Sequence, residues 1–466
     1  MTRIPLCLLA LALALPQALG QDERPVSADP QSLLEKLEAF QQALEASHDR
    51  EAHLLRRVTD LERRLNASEE NASRIHDLEA RLADGAPGPT LDELVDRVAS
   101  LESSGGARSA LSLGGYFDFN VRNDRAVSHP TFSQHRFVLQ VASEILEDAI
   151  TFKAEIEIEG GGADASFLTD NEIVVEYAEL HFHIDRAFNV KVGALLVPFG
   201  RFNALHDSPL QDLQDRPLVD RRIIPTTWQE AGVGIYGAFD VADWVVDYDI
   251  VVTNGFDDDF SATPGGGFRG NRSSFREDNN DSKQILGRIG VHPSFDFLDA
   301  AEFGFSFGWG KYDDNDDQDI LMAAFDWFVK KGPFELKGEY VRFELDRGPA
   351  ERAAGAPDGA EGYYVELAFH FFPESWRGTS SFFTDESTFT LVARFGNIDT
   401  DTATQGIDRG ARGDAFRDDL QRLTFGINFR PIEKTVMRIE YQIFFEESGL
   451  PDADNDRLVI SFATYF

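Results

Sequence analysis

One cysteine in 466 residues, Cys7, sits inside an apolar N-terminal run. Disulfide frameworks and thiolate metal sites are therefore excluded from the rest of the chain. Basic charge is also scarce: 44 Lys plus Arg stand against 81 Asp plus Glu, a formal net charge of −37. A nucleic-acid partner needs a basic face to replace phosphate counterions, so none is expected. Beyond the N-terminal run, no apolar segment approaches the ~18 residues of a membrane-spanning helix. If the chain resides in a bilayer, only a closed barrel can then satisfy its backbone. No Gly-x-Ser-x-Gly elbow and no phosphate-binding loop occurs, so neither catalytic residues nor a cofactor are expected. Aromatic residues, by contrast, make up 12% of the chain, too many for a disordered acidic polymer.

The N-terminus reads as an export address. Met1-Thr2-Arg3 is a short basic start, Leu6 to Leu15 is apolar, and Ala18-Leu19-Gly20 offers small residues at a cleavage site. Residues 1–20 are expected to be a signal peptide. Cys7 opens the apolar run instead of following it, which argues against a lipoprotein signal. Residues 31–84 then carry helical, coiled-coil spacing, with Leu37, Leu44, Val58 and Leu65 on one seam and Phe40, Leu54, Leu61, Ile75 and Leu82 on the other. Ser47 and Glu51 interrupt the seam, and Gly85-Ala86-Pro87-Gly88-Pro89 ends the helix. A shorter pattern at Leu91, Leu94, Val95, Val98 and Leu101 runs into Ser103-Ser104-Gly105-Gly106. Residues 21–112 are thus expected to form a periplasmic helical coiled-coil segment and linker, self-associating to cover its apolar stripe.

From Leu113 the period becomes two. In 150–159, Ile150, Phe152, Ala154, Ile156 and Ile158 alternate with Thr151, Lys153, Glu155, Glu157 and Glu159. The pattern recurs, without intervening helices, in about sixteen segments: 113–121, 135–146, 150–160, 173–185, 188–197, 231–239, 243–253, 283–292, 301–311, 319–330, 333–345, 361–371, 387–396, 420–430, 434–446 and 456–466. An even number of strands near ten residues each, joined alternately by short turns and long loops, predicts an all-β transmembrane barrel over 113–466. The longest connection is 198–230. The final strand ends on Phe466, similar to the signal read by the barrel-assembly machinery of Gram-negative bacteria.

The segment Val192 to Gly200, ending in Val197-Pro198-Phe199-Gly200, resembles the phosphate-selective porin O/P family, as do Gly232, Gly234 and Gly237, the opening Gly114-Gly115-Tyr116-Phe117-Asp118, and Val251-Val252-Thr253-Asn254-Gly255. The resemblance covers 113–466. It implies a sixteen-strand porin in the outer-membrane lipid, a homotrimer, and a third external loop, 198–230, folded into the lumen as a constriction. It also implies anion preference through lysines and an arginine ladder. Here the sequence departs: residues 113–466 hold 62 acidic and only eight Lys residues.

Selectivity in such a pore is set by its width and the charges lining it. The expected constriction offers Arg201, Arg216, Arg221 and Arg222 against Asp207, Asp212, Asp215 and Asp220, which either filter solutes or pair to hold the loop. Strand phase places Arg136, Arg288, Arg394, Arg422 and Arg438 on the inner wall. The same phase points Glu155, Glu157, Glu335, Glu339 and Glu440 inward, predicting a wall of mixed sign. His181 and His183 share a strand face without an evident third ligand, so no metal site is expected there. Asp313, Asn315, Asp317 and Asp319, and Asp452, Asp454 and Asp456, alternate as in half a calcium loop, but Gln318 and Ala324 occupy the positions of the required glycine and glutamate. Solvated acidic loops are the expectation. The function predicted is passive diffusion of small hydrophilic solutes or ions, anions such as phosphate among them. A structural protein tethering the envelope to the cell wall through its coiled coil is the rival.

Overall fold

The computed structural model describes residues 111–125, 129–160, 172–258, 268, 271–272, 275, 278–354, 356–402, 420–446 and 455–466. The expected signal peptide and coiled coil lie outside the described residues, as do Asp452 and Asp454. The first strands are β1 (Leu111–Asp124), β2 (Thr131–Leu146), β3 (Ile150–Glu159), β4 (Glu172–His183) and β5 (Asn189–Leu196). After them come β6 (Gln229–Val241), β7 (Trp244–Thr253), β8 (Gln284–His292), β9 (Ala300–Lys311), β10 (Asp319–Lys331) and β11 (Phe334–Leu345). The last five are β12 (Gly359–Phe371), β13 (Thr388–Asp399), β14 (Leu420–Ile432), β15 (Thr435–Glu446) and β16 (Arg457–Tyr465).

Each strand pairs antiparallel with its neighbours in sequence, and β1 pairs with β16 from Tyr116↔Tyr465 to Asp124↔Arg457. The sheet therefore closes with no free edge. The sixteen expected segments coincide with the sixteen strands to within a few residues. The largest offset, at the start of β2, has a cause: the register shifts between Asp118 and Phe119, leaving His135 as an extra residue. That bulge breaks the alternation and hides residues 131–134 from a period-two reading.

The outer face is apolar. Leu113, Phe305, Leu321, Leu367 and Phe425 are half or more exposed, as expected where lipid is the solvent. The inner face carries Asp118, Arg136, Glu155, Glu339, Glu366, Arg394, Arg422, Arg438 and Glu440, all buried. Phe466 lies at the seam, its N–H donating to the Gly115 carbonyl at 3.0 Å and its ring stacked on Phe137. Loops at one end are long, and the segment between β5 and β6 contains two short helices, α1 (Arg201–Ala204) and α2 (Leu218–Arg222).

Candidate functional site: a loop folded into the lumen

The segment 197–228 leaves β5 and crosses the barrel interior. Its neck is closed by Asn203, whose amide donates to the Val197 carbonyl at 2.8 Å and accepts from the Trp228 N–H at 2.8 Å. The Val-Pro-Phe-Gly stretch supplies the entry. Phe199 packs edge-on against Phe343 and at a tilt against Trp228. Gly200 adopts φ 72°, and a Cβ there would meet the Glu339 carboxylate at 1.9 Å. Only glycine combines that backbone with that approach.

From the neck the loop is held by two different surfaces. On one side Leu218, Val219, Ile223, Ile224 and Trp228 join inward residues of the long-loop halves of β7, β8, β10 and β11: Val251, Leu286, Ile320, Met322, Val341 and Phe343. α2 lies against β12 and β13, where Gly362 leaves room for Val219, 3.0 Å from the position of an added Cβ. On the other side residues 207–216 meet a mainly polar wall, with Leu213 alone packed on the apolar pair Ala368 and Val392. Arg438 donates to the carbonyls of Ser208 at 2.9 Å and Gln211 at 3.1 Å, and to the Gln214 amide oxygen at 2.8 Å. Arg394 donates to the Asp215 carbonyl at 2.7 Å and pairs with Glu366. Arg422 reaches the Arg216 carbonyl, and Asn428 the Asp212 carbonyl at 3.1 Å.

The expected constriction residues divide accordingly. Asp212 pairs with Arg430 at 3.3 Å and lies 3.7 Å from Lys337. Asp215 is ringed by Arg122 at 2.8 Å, Arg457 at 3.4 Å and Arg422 at 3.7 Å. Burial pushes the Asp215 carboxyl up, but these guanidiniums and Arg221 outweigh it and hold it well below the usual carboxylate range. Arg216 is folded back on Thr226 and Thr227. Asp220 is fully buried in α2, and burial lifts its carboxyl to about 8 against the opposing pull of Arg394 and Arg216. Asp207 accepts from the Tyr465 hydroxyl at 2.7 Å. Arg201 pairs with Glu302 and stacks over Phe328. Arg221 is exposed and Arg222 half-buried, both on the long-loop side of the crossing segment.

The inward arginines do not form one track. Arg394, Arg422 and Arg438 share the crossing segment. Arg136 pairs separately with Glu157 and Glu159, and Arg288 with Asp326 and Glu302. Glu335 lies beside Lys337 at 3.4 Å. Acids and arginines are mixed on the wall. Sequence reasoning missed Arg430, Arg457, Arg122 and Lys337. The first two share the inward phase of Arg422 and of Ser461, so strand parity contained the signal. Arg122 lies one residue past the expected end of β1. His181 and His183 stack on each other, with His181 bonded to Glu179 at 2.8 Å and to Tyr236 at 3.0 Å. Asp313 accepts N–H groups from Asn315, Asp317 and Gln318, so its carboxylate braces its own turn instead of facing a shared cation.

The sequence profile of the family described as phosphate-selective porin O and P matches residues 113–387. An uncharacterized protein of Aquifex aeolicus (strain VF5) is 24% identical over 372 residues, 75% of this chain and 78% of that one. Among solved structures, the anion-selective porin from Comamonas acidovorans is 14% identical with a TM-score of 0.47, covering 77% of this chain and 100% of its own. Salmonella typhi OmpF in complex with daunomycin is 9% identical with a TM-score of 0.48, covering 77% and 98%.

Proposed function

The chain belongs to the phosphate-selective porin O and P family and is an outer-membrane channel; we propose that it passes small hydrophilic solutes and ions by diffusion, with the 197–228 segment as the constriction. The observation that carries this reading is the seating of that segment across the lumen, tied to the wall on two sides. Anions, phosphate among them, are the favoured solutes where Arg122, Arg221, Arg222 and Arg457 gather at the long-loop mouth. Preference is weak, because the wall is acidic as well as basic. The described residues offer no support for a tethering role. Deleting 203–226 is expected to raise single-channel conductance several-fold in planar bilayers. An unchanged conductance in a correctly folded barrel would remove the constriction role.

The working unit in this reading is a homotrimer, inserted with the barrel-assembly machinery recognising the strand that ends at Phe466. Three N-termini would meet on the periplasmic side, so a coil over 31–84 would favour the same oligomer as the barrel. Removing 21–104 should leave a conducting barrel whose trimer dissociates at lower temperature in detergent. An unweakened truncated trimer, with a fragment 31–84 that is unfolded and monomeric, would discard the coil.

A further inference from the structure

Glu155, Glu176 and His206 each offer a ligand atom, and the three atoms lie within 4.8 Å of one another. We propose that these residues bind a divalent transition cation of the zinc type, fastening the constriction to the wall at β3 and β4.

The geometry begins with a bulge. Glu155 opposes Tyr177 but Ile156 opposes Val175, so Glu176 is the extra residue and turns inward beside Tyr177. The loop brings His206 onto these two carboxylates. All three residues are at most 3% exposed. The Nδ1 of His206 lies 2.8 Å from the Asn203 carbonyl and must donate to it, since a carbonyl only accepts. With Nδ1 donating, Nε2 is the nitrogen left to face the Glu176 carboxylate at 3.1 Å, a contact that needs a proton or a cation between the two atoms. An imidazole held by a backbone carbonyl on its far nitrogen is how protein sites orient a metal-binding histidine. The 3.1 Å separation is close to the spacing of two ligands on one tetrahedral ion with bonds of about 2.0–2.2 Å. Thr227 steadies the other Glu176 oxygen at 2.8 Å.

A second observation points to a missing partner. The Oε2 of Glu155 accepts from Gln140 at 2.9 Å, while its buried Oε1 has no donor in good hydrogen-bond geometry and the Glu176 carboxylate lies beside it. Two buried carboxylates side by side repel unless a proton or a cation lies between them. Arg136, on the neighbouring strand β2, is engaged by Glu157 and Glu159. Asp207, 3.7 Å from His206 Nε2, or a water would complete four-coordination. Carboxylate and imidazole ligands without thiolate suit Zn²⁺ and its first-row neighbours better than Ca²⁺.

The test uses the full-length porin in detergent, stripped with chelator and titrated with ZnCl₂ by calorimetry. One zinc per chain is expected, weakened at least tenfold in both Glu155→Gln and His206→Ala, while His183→Ala titrates like the wild type. Zinc should also lower open-channel current noise in the wild type and not in Glu155→Gln, which keeps the side-chain shape if His206→Ala loosens the loop. No binding by the wild type, or binding that survives both ligand substitutions or is lost with His183→Ala, would overturn the site. These outcomes do not depend on which solute the channel passes.

Discussion

The loop that crosses the lumen is held by two surfaces built on opposite principles. Against β7–β13 it is anchored as a soluble domain would be: Trp228, Phe199 and Ile223 are buried among Phe343, Met322 and Val251. Against β13–β15 it is also anchored through its backbone, with Arg394, Arg422, Arg430 and Arg438 donating to loop carbonyls. The apolar side gains from area removed from water and is indifferent to charge. The polar side contributes only while every donor keeps its acceptor, since a buried guanidinium without partners is expensive. The arginine side also fixes direction: a fork donating to Ser208, Gln211 and Gln214 leaves little freedom of register. Apolar contact alone would tolerate sliding.

The largest effects should come from breaking each anchor singly. Trp228→Ala removes a fully buried ring and should cost about 3–5 kcal/mol of barrel stability through the cavity it leaves. Arg438→Met strips donors from several loop acceptors and should cost a similar ~3–5 kcal/mol. Denaturant unfolding of the folded barrel measures both. Their open-channel signatures should differ: Arg438→Met frees residues 207–216 and adds flicker that grows with salt, whereas Trp228→Ala adds flicker that salt does not change. Costs that add in the double variant would mean independent anchors. A sum well short of additive would make the loop one cooperative unit and erase the distinction drawn above.

The two anchors were not equally legible in the sequence. The polar one was, because strand parity places Arg394, Arg422 and Arg438 inward once their lipid-facing neighbours are recognised. What they touch was not legible, since the acceptors are main-chain carbonyls, which every residue carries. The apolar anchor was missed because the reading took apolar as outward. β10 runs Ile320-Leu321-Met322-Ala323-Ala324-Phe325 without a polar residue, and a strand apolar on both faces has something apolar inside it. Closure of the sheet, by contrast, followed from length, parity and loop alternation, none of which depends on side-chain partners. The Glu155, Glu176 and His206 cluster was beyond reach, as it requires both the bulge in β4 and the path of the loop.

Asp220 sharpens the comparison, being a charge-bearing group set on the apolar side. Its carboxyl is lifted to about 8 by burial, above the ordinary 3.8, and one of its oxygens is buried without a partner. A folded state that holds the proton more tightly than the unfolded chain is most stable below the ordinary value. It loses that advantage as pH rises from about 4 through about 8, then stays level. Asp220→Asn keeps the oxygen that accepts from Thr226 and removes the titration. It should lessen the fall in thermal stability between pH 5 and 8 and leave the barrel more stable at pH 8 by about 1–3 kcal/mol. Asp215, held well below the usual range by its arginines, should give no slope in that window, so Asp215→Asn should lower stability equally at pH 5 and pH 8. A slope as steep in Asp220→Asn as in the wild type would place the sensitive groups elsewhere.

The smallest effect is expected where the two surfaces meet, at the end of α2. There Leu218 and Val219 face the apolar wall while the next turn carries Arg221 into solvent and Arg222 partly so. These two side chains stand near Arg122 and Arg457, whose charge is already offset by Asp215 and Asp124. Arg221, which shares Asp215 with Arg122, Arg422 and Arg457, adds to the positive potential an entering ion meets at that mouth, and Arg222 stands beside it. Replacing both by Ala should leave conductance and unfolding nearly unchanged and move the reversal potential toward cations. The shift should be a small part of the ~59 mV that full selectivity gives per tenfold gradient of a singly charged ion. Because exposed charges are screened over about 10 Å at 0.1 M salt and about 3 Å at 1 M, the shift should be measurable in a 0.1 M/0.01 M KCl gradient and fade in a 1 M/0.1 M one. A shift equal in both gradients would put the two arginines in the narrowest, least screened part of the pore. No shift in either would assign the charge filter to the buried wall, and the arginines that hold the loop would then also be the ones that sort the ions.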